Sequence, residues 1–150
     1  MEQIIEYYDS RDKQHWLEEI GKSDWQAGKL LYNLIRDDKL KGLCGENTKV
    51  LLLVEDDKLL SFCTYAEQDE IDRPDIKPWI GFVYTFPEYR GRHLFGKLLE
   101  KGCNMAKEDG YKTMYISTDA EGLYEKYGFS YWTTMQSIYE WKSRVYRRKL

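Results

Sequence analysis

The apolar residues of this chain alternate between short continuous runs and stripes at helical spacing, a pattern that predicts a mixed α/β fold. Residues 3–8 predict an edge strand. Residues 50–54 form a continuous aliphatic run, which is typical of a strand covered on both faces. Polar residues 55–58 then predict a turn, and residues 59–66 return as the second arm of a hairpin.

Apolar residues at helical spacing predict three helices in the first two thirds of the chain. A short helix ends at Gly21, and residues 23–26 have the spacing of a capping box that opens a second helix. That helix should end near residues 39–42. A third strand is predicted over residues 79–86, followed by a longer helix that Gly110 is placed to end.

The last third of the chain predicts more strands around one short helix. Residues 111–117 form a strand, and residues 118–121 repeat the capping-box spacing before a helix that ends at Gly128. Residues 129–134 and 137–141 are predicted as the last two strands. The order βααβββαβαββ predicts a mixed central sheet of about seven strands with helices on both faces, in which the long helix connects two parallel strands.

A basic turn stands at the junction between the third predicted strand and the long helix. A pyrophosphate binds to unpaired backbone N–H groups at the positive end of a helix dipole. Gly91 lets the backbone approach a phosphate closely, and Arg90 and Arg92 add positive charge. From these residues alone, an anion-binding turn and an ordinary basic turn both remain open. The candidate segment is Arg90-Gly91-Arg92-His93-Leu94-Phe95-Gly96.

A second candidate is the tyrosine-rich stretch of residues 123–129, LYEKYGF. Its predicted short helix would lie just past the carboxyl end of strand 111–117, where neighbouring parallel strands part to admit a ligand. A phenol in that place can act as a general acid. Ordinary aromatic packing of Tyr124 and Tyr127 is the alternative.

Taken together, the two motifs resemble those of the GNAT superfamily of acyl-CoA-dependent N-acyltransferases. The cofactor signature of that family is Arg or Gln, two residues, Gly, one residue, then Gly or Ala, and Arg90 matches its first position. The two family glycines fall on His93 and Phe95, so the chain departs from the signature at both. Residues 120–129, AEGLYEKYGF, match the family pattern A-x-x-x-Y-x-K-x-G-F.

The resemblance implies a single GNAT-type domain over residues 1–150 and direct transfer of an acetyl group from acetyl-CoA to a primary amine, without a metal. It implies that Tyr124 protonates the departing thiolate of coenzyme A. It also implies that residues 83–85 pair with the pantetheine arm and that residues 91–96 hold the pyrophosphate, while Ser117 stands where the family often has Asn. The residues expected at the cofactor are Val83, Tyr84, Thr85, Arg90, Gly91, Arg92, His93, Leu94, Phe95, Gly96 and Ser117.

The base that deprotonates the amine is not evident from the sequence. In the family a Glu on the strand before the cofactor turn often serves, but residues 79–86 contain none. Glu67, Asp69 and Glu70 are candidate replacements, none of them preferred, and a solvated acidic loop is the alternative. The acidic segment 67–75 favours a cationic small-molecule acceptor, while the resemblance equally permits a protein N-terminus or lysine.

The charge and cysteine content restrict the remaining function classes. A net charge of −3 argues against a nucleic-acid binder, and the basic tail from Lys142 onward is expected to be a solvated or frayed end. Three cysteines without CxxC spacing predict reduced thiols in a cytoplasmic protein. No secretory leader is visible, and the run 50–54 is too short to cross a membrane.

Two other functions and one assembly are compatible with the sequence. A non-catalytic acyl-CoA-binding sensor is one, because His93, Phe95 and the missing strand glutamate depart from the family pattern. A nucleic-acid or partner-binding module that acts through the basic tail is the other. A homodimer is also compatible.

Overall fold

The computed structural model describes residues 1–150 and contains a seven-stranded sheet with four α-helices. The strands are β1 (Glu2–Glu6), β2 (Lys49–Glu55), β3 (Lys58–Ala66), β4 (Trp79–Thr85), β5 (Thr113–Thr118), β6 (Ser130–Gln136) and β7 (Lys142–Lys149). The helices are α1 (Lys13–Gly21), α2 (Gln26–Arg36), α3 (Leu40–Cys44) and α4 (Leu94–Glu108). Short 3₁₀ helices lie at Tyr7–Asp9, Pro87–Tyr89 and Tyr124–Tyr127.

The sheet is mixed, with the strand order β1-β2-β3-β4-β5-β7-β6. Only β4 and β5 pair in parallel, and α4 connects them because parallel neighbours need a crossover. The other neighbours pair antiparallel. The predicted mixed sheet and its parallel pair are therefore confirmed. None of the helices combines the length and apolarity needed to cross a bilayer.

Strand β2 shows why helices cover both faces of the sheet. Successive side chains of a strand point to opposite faces, and every residue from 50 to 54 is apolar and buried. Leu51 and Leu53 pack in one core cluster with α4. Val50, Leu52 and Val54 pack in a second cluster with α1, α2 and α3. The predictions of a doubly covered strand and of helices on both faces are confirmed.

The predicted capping box at the start of α2 is wrong. The N-cap position is Trp25, which makes no side-chain capping hydrogen bond. The Ser23 hydroxyl is buried against Gly28 and has no hydrogen-bond partner. Asp24 instead accepts a hydrogen bond of 2.7 Å from the Tyr84 hydroxyl. Tertiary packing between the α1–α2 connection and β4 thus overrides the local capping pattern.

The second capping box, at residues 118–121, is also wrong. The Thr118 hydroxyl oxygen accepts a hydrogen bond from the backbone N–H of Ala120 at 3.0 Å, which forms a local turn instead of a helix start. The chain becomes helical only at Tyr124–Tyr127, as a single 3₁₀ turn that Gly128 ends in the left-handed conformation. The predicted stop at Gly128 is confirmed.

The largest difference from the sequence analysis is the C-terminal strand. Residues 137–141 are not a strand, and the basic tail is strand β7, which lies between β5 and β6 in the sheet. Val145 and Tyr146 are buried, while the guanidinium of Arg144 lies over the Tyr131 ring. Long basic side chains can cover apolar surface with their stems while their charged ends stay in water. The tail is therefore a structural strand and not a frayed end.

We expect Tyr146→Ala to lower the free energy of unfolding by about 3–5 kcal/mol, because it removes a large buried aromatic side chain. Lys149→Ala, on the same strand but exposed, should change that free energy by less than about 0.5 kcal/mol. Urea unfolding followed by circular dichroism measures both variants. Equal stability of the two would show that β7 is not part of the folded sheet.

Candidate active site

The site begins where the parallel strands β4 and β5 separate. They pair only through Trp79 with Tyr115 and Ile80 with Ile116. After Ile80, the side of β4 that faces β5 has no partner strand. Backbone amides in such a place must find other hydrogen-bond partners, so the gap is suited to a ligand that carries its own amide groups.

A β-bulge in β4 accompanies the separation. Phe62 of β3 lies opposite Tyr84, and Thr64 lies opposite Gly81, so that two residues of β4 face one of β3. Phe82, inside the bulge, has a left-handed backbone with φ of 51°. Such a conformation costs a bulky residue on the order of 1–3 kcal/mol and is concentrated at functional sites.

Two cavities meet at this gap and share Trp25, Val83 and Tyr124 as wall residues. The first, called here the α4 cleft, has a volume of about 620 Å³ and opens at the start of α4. The residues of the predicted cofactor set that line it, together with Tyr124, are Val83, Tyr84, Thr85, Arg90, Gly91, His93, Leu94 and Phe95. The turn and the tyrosine motif, which are distant in sequence, therefore lie in one cleft.

The first turn of α4 faces this cleft without a side-chain cap. His93 occupies the N-cap position in a left-handed conformation, with φ of 55°, and its side chain caps none of the helix N–H groups. The first N–H groups of a helix have no intrahelical partners. Leu94 and Phe95, at the beginning of the helix, line the cleft. This helix start can therefore donate backbone hydrogen bonds to an anion.

Arg90 is held against the end of β4. Its Nε donates a hydrogen bond of 2.8 Å to the backbone oxygen of Thr85. Its guanidinium lies 5.4 Å from the centre of the Tyr84 ring. Arg90 therefore fixes the turn to the strand as well as adding positive charge to the cleft.

Arg92 and Gly96 do not line the α4 cleft. The Arg92 guanidinium donates a hydrogen bond of 2.9 Å to Glu2, and Lys97 pairs with the same carboxylate. The Lys97 ammonium, together with Arg92, holds the pKa of Glu2 below its ordinary value. A side chain at Gly96 would collide with the Tyr127 ring, with Cβ 2.6 Å from its nearest atom. Gly96 thus allows the close packing of α4 on Tyr127.

Tyr124 lies at the junction of the two cavities and is only 6% exposed. Its ring packs edge-on against Phe95, with the ring centres 6.2 Å apart. Burial, with smaller contributions from Cys63 and Asp69, raises the pKa of the Tyr124 phenol well above its ordinary value. The hydroxyl therefore keeps its proton at neutral pH and is available as a proton donor.

The second cavity, called here the β5 cavity, has a volume of about 630 Å³ and lies at the carboxyl end of β5. Ser117 lines this cavity and not the α4 cleft, and its hydroxyl donates a 2.7 Å hydrogen bond to that of Ser143. The charged side chains in its wall are Asp69, Glu70 and Asp119, all of them acidic. The cavity therefore has a negative potential that favours cations.

Aromatic side chains form another part of the wall of the β5 cavity. Tyr139 and Trp141 lie in the loop between β6 and β7, and their rings stack with centres 5.1 Å apart. The Trp141 indole donates a hydrogen bond of 3.0 Å to Glu70. Tyr139 and Trp141 are 39% and 51% exposed, which places them at the mouth of the cavity. Aromatic faces beside carboxylates attract organic cations.

Trp25 is a site residue that the sequence pattern does not indicate, and Tyr139 and Trp141 lie in a loop where a strand was predicted. Trp25 stacks on Tyr84 at 5.6 Å between ring centres and separates the two cavities. The only sequence signal for Trp25 is a large aromatic residue in a connection between helices. That signal does not tell which strand the ring packs against.

Comparison with known proteins identifies the family. Residues 3–129 match the sequence model of the acetyltransferase (GNAT) family. The chain belongs to the GNAT acetyltransferase family. This confirms the resemblance inferred from the two motifs. No curated protein matches the sequence of this GNAT protein.

Solved structures share the fold over the whole chain at low sequence identity. A Desulfovibrio desulfuricans protein assigned to the GNAT acetyltransferases matches with a TM-score of 0.71 and 13% identity, over 99% of each chain. The aminoglycoside 6′-N-acetyltransferase from Enterococcus faecium matches with a TM-score of 0.70 and 12% identity, over 98% of this chain and 96% of that one. The predicted fold is confirmed.

A third structure holds the expected co-substrate. A Bacillus anthracis protein assigned as a streptothricin acetyltransferase, solved with acetyl coenzyme A, matches with a TM-score of 0.57 and 14% identity. The match covers 69% of this chain and 63% of that one.

The left-handed conformation of His93 gives a testable expectation. Because a left-handed backbone costs a residue with a side chain about 1–2 kcal/mol, His93→Gly should raise the free energy of unfolding by about 1 kcal/mol. Lys101→Gly, at an exposed position inside α4, should lower it by about 1 kcal/mol. Denaturant-induced unfolding measures the free energy of unfolding of both variants. A loss of stability in His93→Gly would contradict this account of the helix start.

Proposed function

We propose that this GNAT protein transfers an acetyl group from acetyl-CoA directly to a primary amine, and that the acceptor is a cationic small molecule. The observation that carries the proposal is the position of Tyr124. It lines both the cleft that starts at α4 and the cavity with acidic walls. A group transferred between ligands in the two cavities must pass this side chain.

The polar groups of the α4 cleft are of the kinds that coenzyme A would bind. The backbone of Val83, Tyr84 and Thr85 lies past the last pair between β4 and β5, so the amide groups of the pantetheine arm can pair with it. The start of α4, without a side-chain cap, offers N–H groups to the pyrophosphate. Arg90 and Lys126 supply positive charge in the same cleft.

The chemistry proposed for Tyr124 is protonation of the leaving group. The neutral amine attacks the thioester carbonyl, the C–S bond breaks, and the Tyr124 hydroxyl gives its proton to the departing thiolate. Backbone N–H groups at the end of β4 would polarise the carbonyl as negative charge develops on its oxygen. The Tyr124 phenol, whose pKa burial raises, is protonated at neutral pH and so carries the proton that the thiolate receives.

The acceptor class follows from the wall of the β5 cavity. Its carboxylates and its aromatic rings, Tyr139 and Trp141, favour an organic cation over an anion or a neutral molecule. The structural relative that acts on an aminoglycoside is consistent with this choice. Polyamines, aminoglycosides and amino-acid derivatives are the acceptors to test, beside peptides with a free N-terminus or a lysine.

Tyr124→Phe should lower kcat by about 100-fold or more, because it removes the proton donor and keeps the ring. The Kd for acetyl-CoA should stay nearly unchanged. Tyr127→Phe removes another hydroxyl from the same cleft and should leave kcat within about twofold. Release of free thiol with an amine panel measures kcat, and calorimetry measures Kd. Wild-type turnover in Tyr124→Phe would remove Tyr124 from this role.

The same panel tests the proposed activity itself. The expected result is thiol release that depends on a cationic amine, with an acetylated amine as product. If the wild-type chain binds acetyl-CoA tightly and no amine in the panel raises thiol release above background, the protein is an acyl-CoA sensor. If only peptides are acetylated, the small-molecule acceptor is wrong.

The Glu2 carboxylate should weaken cofactor binding, because it neutralises Arg92 and Lys97 beside the start of α4. We expect Glu2→Gln to lower the Kd for acetyl-CoA roughly two- to fivefold at low salt, with a smaller effect at high salt. Glu108→Gln, at the opposite end of α4, changes the net charge equally and should leave Kd unchanged. A Kd that does not respond to Glu2→Gln would show that these cations do not act on the phosphates.

A further inference from the structure

We propose that Asp69 is the general base that takes the proton from the acceptor ammonium, an inference that rests on the proposed amine acetylation. An amine is protonated at neutral pH and must lose a proton before it can attack a thioester. Asp69 and Tyr124 line the same β5 cavity. The two groups would therefore act on the acceptor and on the leaving thiolate from within one space.

Gly81, on the strand before the cofactor turn, has no side chain, and the Asp69 carboxylate occupies the space beside it. Gly81 lies in β4 and lines the β5 cavity. A Cβ atom added at Gly81 would lie 2.1 Å from the Asp69 Oδ1. Any other residue at this position would therefore displace the carboxylate. The chain supplies from the segment after β3 a carboxylate at the place where β4 itself supplies none.

A second polar group faces the same point without a partner. The Thr64 hydroxyl is fully buried and has no hydrogen-bond partner in the protein. It lies 3.1 Å from the position of the same added Cβ at Gly81. A buried hydroxyl without a partner is costly, so this point needs a further hydrogen-bonding group. Thr64 does not itself line the cavity, so its hydroxyl and the Asp69 carboxylate mark a polar point around Gly81 in the cavity wall.

The neighbouring carboxylates fit the role of base less well. Glu70 accepts a hydrogen bond from the Trp141 indole, which ties it to the mouth of the cavity. Glu67 does not line the cavity and packs against Gly45. Asp119 is exposed at the end of β5. Among these acids, Asp69 is the one whose carboxylate lies against Gly81 in the wall of the cavity.

The surroundings of Asp69 adjust its proton affinity to this task. Burial raises the pKa of the Asp69 carboxyl to about 7, and the negative charge of Glu70 acts in the same direction, while the Glu70 backbone N–H opposes it. The other titratable groups that interact with it are Cys44, Tyr124 and Tyr139. No basic side chain lines the cavity. A base with a pKa near the working pH transfers protons most efficiently.

The proton balance of the reaction is then complete. Asp69 takes one proton from the ammonium, and the neutral amine nitrogen forms a bond with the thioester carbon. The C–S bond breaks, Tyr124 gives its proton to the thiolate, and the second proton of the attacking nitrogen restores the phenol. Asp69 releases its proton to solvent.

The test uses Asp69→Asn, which keeps the shape and removes the base. For an amine that the wild-type chain acetylates, kcat/KM near neutral pH should fall by about 100-fold or more. Wild-type kcat/KM should rise up to about pH 7 and then level off. In Asp69→Asn it should rise tenfold per pH unit up to the pKa of the amine, because only the neutral amine then reacts. Asp69→Glu should restore part of kcat/KM. Glu67→Gln removes a nearby carboxylate that does not line the cavity, and as the matched control it should leave kcat/KM unchanged.

The outcomes separate this proposal from the proposed function. If the wild-type chain acetylates no amine, the proposed function fails and the base assignment fails with it. If the wild-type chain is active and Asp69→Asn has the same kcat/KM, which still levels off above pH 7, only the assignment of Asp69 is wrong.

A measurement without turnover tests the environment of the Asp69 carboxylate itself. Because the pKa of Asp69 is raised in the folded chain, its ionisation destabilises the fold progressively as pH rises from about 4 to about 7. Asp69→Asn should therefore raise Tm relative to the wild type above pH 7, and the difference should vanish near pH 4. A Tm difference that does not change with pH would show that Asp69 is not held in the proposed environment.

Discussion

The ending of the hydrogen bonds between β4 and β5 is the constraint on which the rest of the site depends. Two residue pairs join these parallel strands, and α4 must begin at the end of one and return to the other. The gap therefore lies beside the start of a helix, so that unpaired strand amides and unpaired helix N–H groups face the same cleft. The bulge at Phe82 belongs to this separation, because it adds a residue to β4 where the strand leaves its partner.

Charge is distributed unequally between the two cavities, and stability is given up in both. Beside the α4 cleft, Glu2 pairs with Arg92 and Lys97, and His93 at the helix start keeps a left-handed backbone. At the β5 cavity, Asp69 is held where its ionised form is disfavoured. The left-handed backbone of His93 and the raised pKa of Asp69 each lower the stability of the fold, a cost that is common at active sites.

The predictions that succeeded rest on strong local signals. The aliphatic run in β2, the hairpin to β3, and the glycines after α4 and after Tyr127 each restrict the backbone directly. The predictions that failed were capping boxes and the last strand. For the first capping box and the last strand, packing against a distant strand competed with the local pattern: Asp24 bonds to Tyr84, and the basic residues of β7 lie over the rings of β6. At the second capping box, a local turn at Thr118 replaced the helix start.

The sequence by itself determined most of the element types, the family and the two motifs of the site, because periodicity and motif spacing are local properties of the chain. Only the tertiary structure decided which acid, which aromatic rings and which cations share a cavity. Asp69 could not be told from Glu67 and Glu70 in the sequence, since the three lie within four residues of one another. The absence of a side chain at Gly81, on a different strand, determines where the Asp69 carboxylate lies. A contact of this kind depends on how β3 and β4 pair, and no local pattern records it.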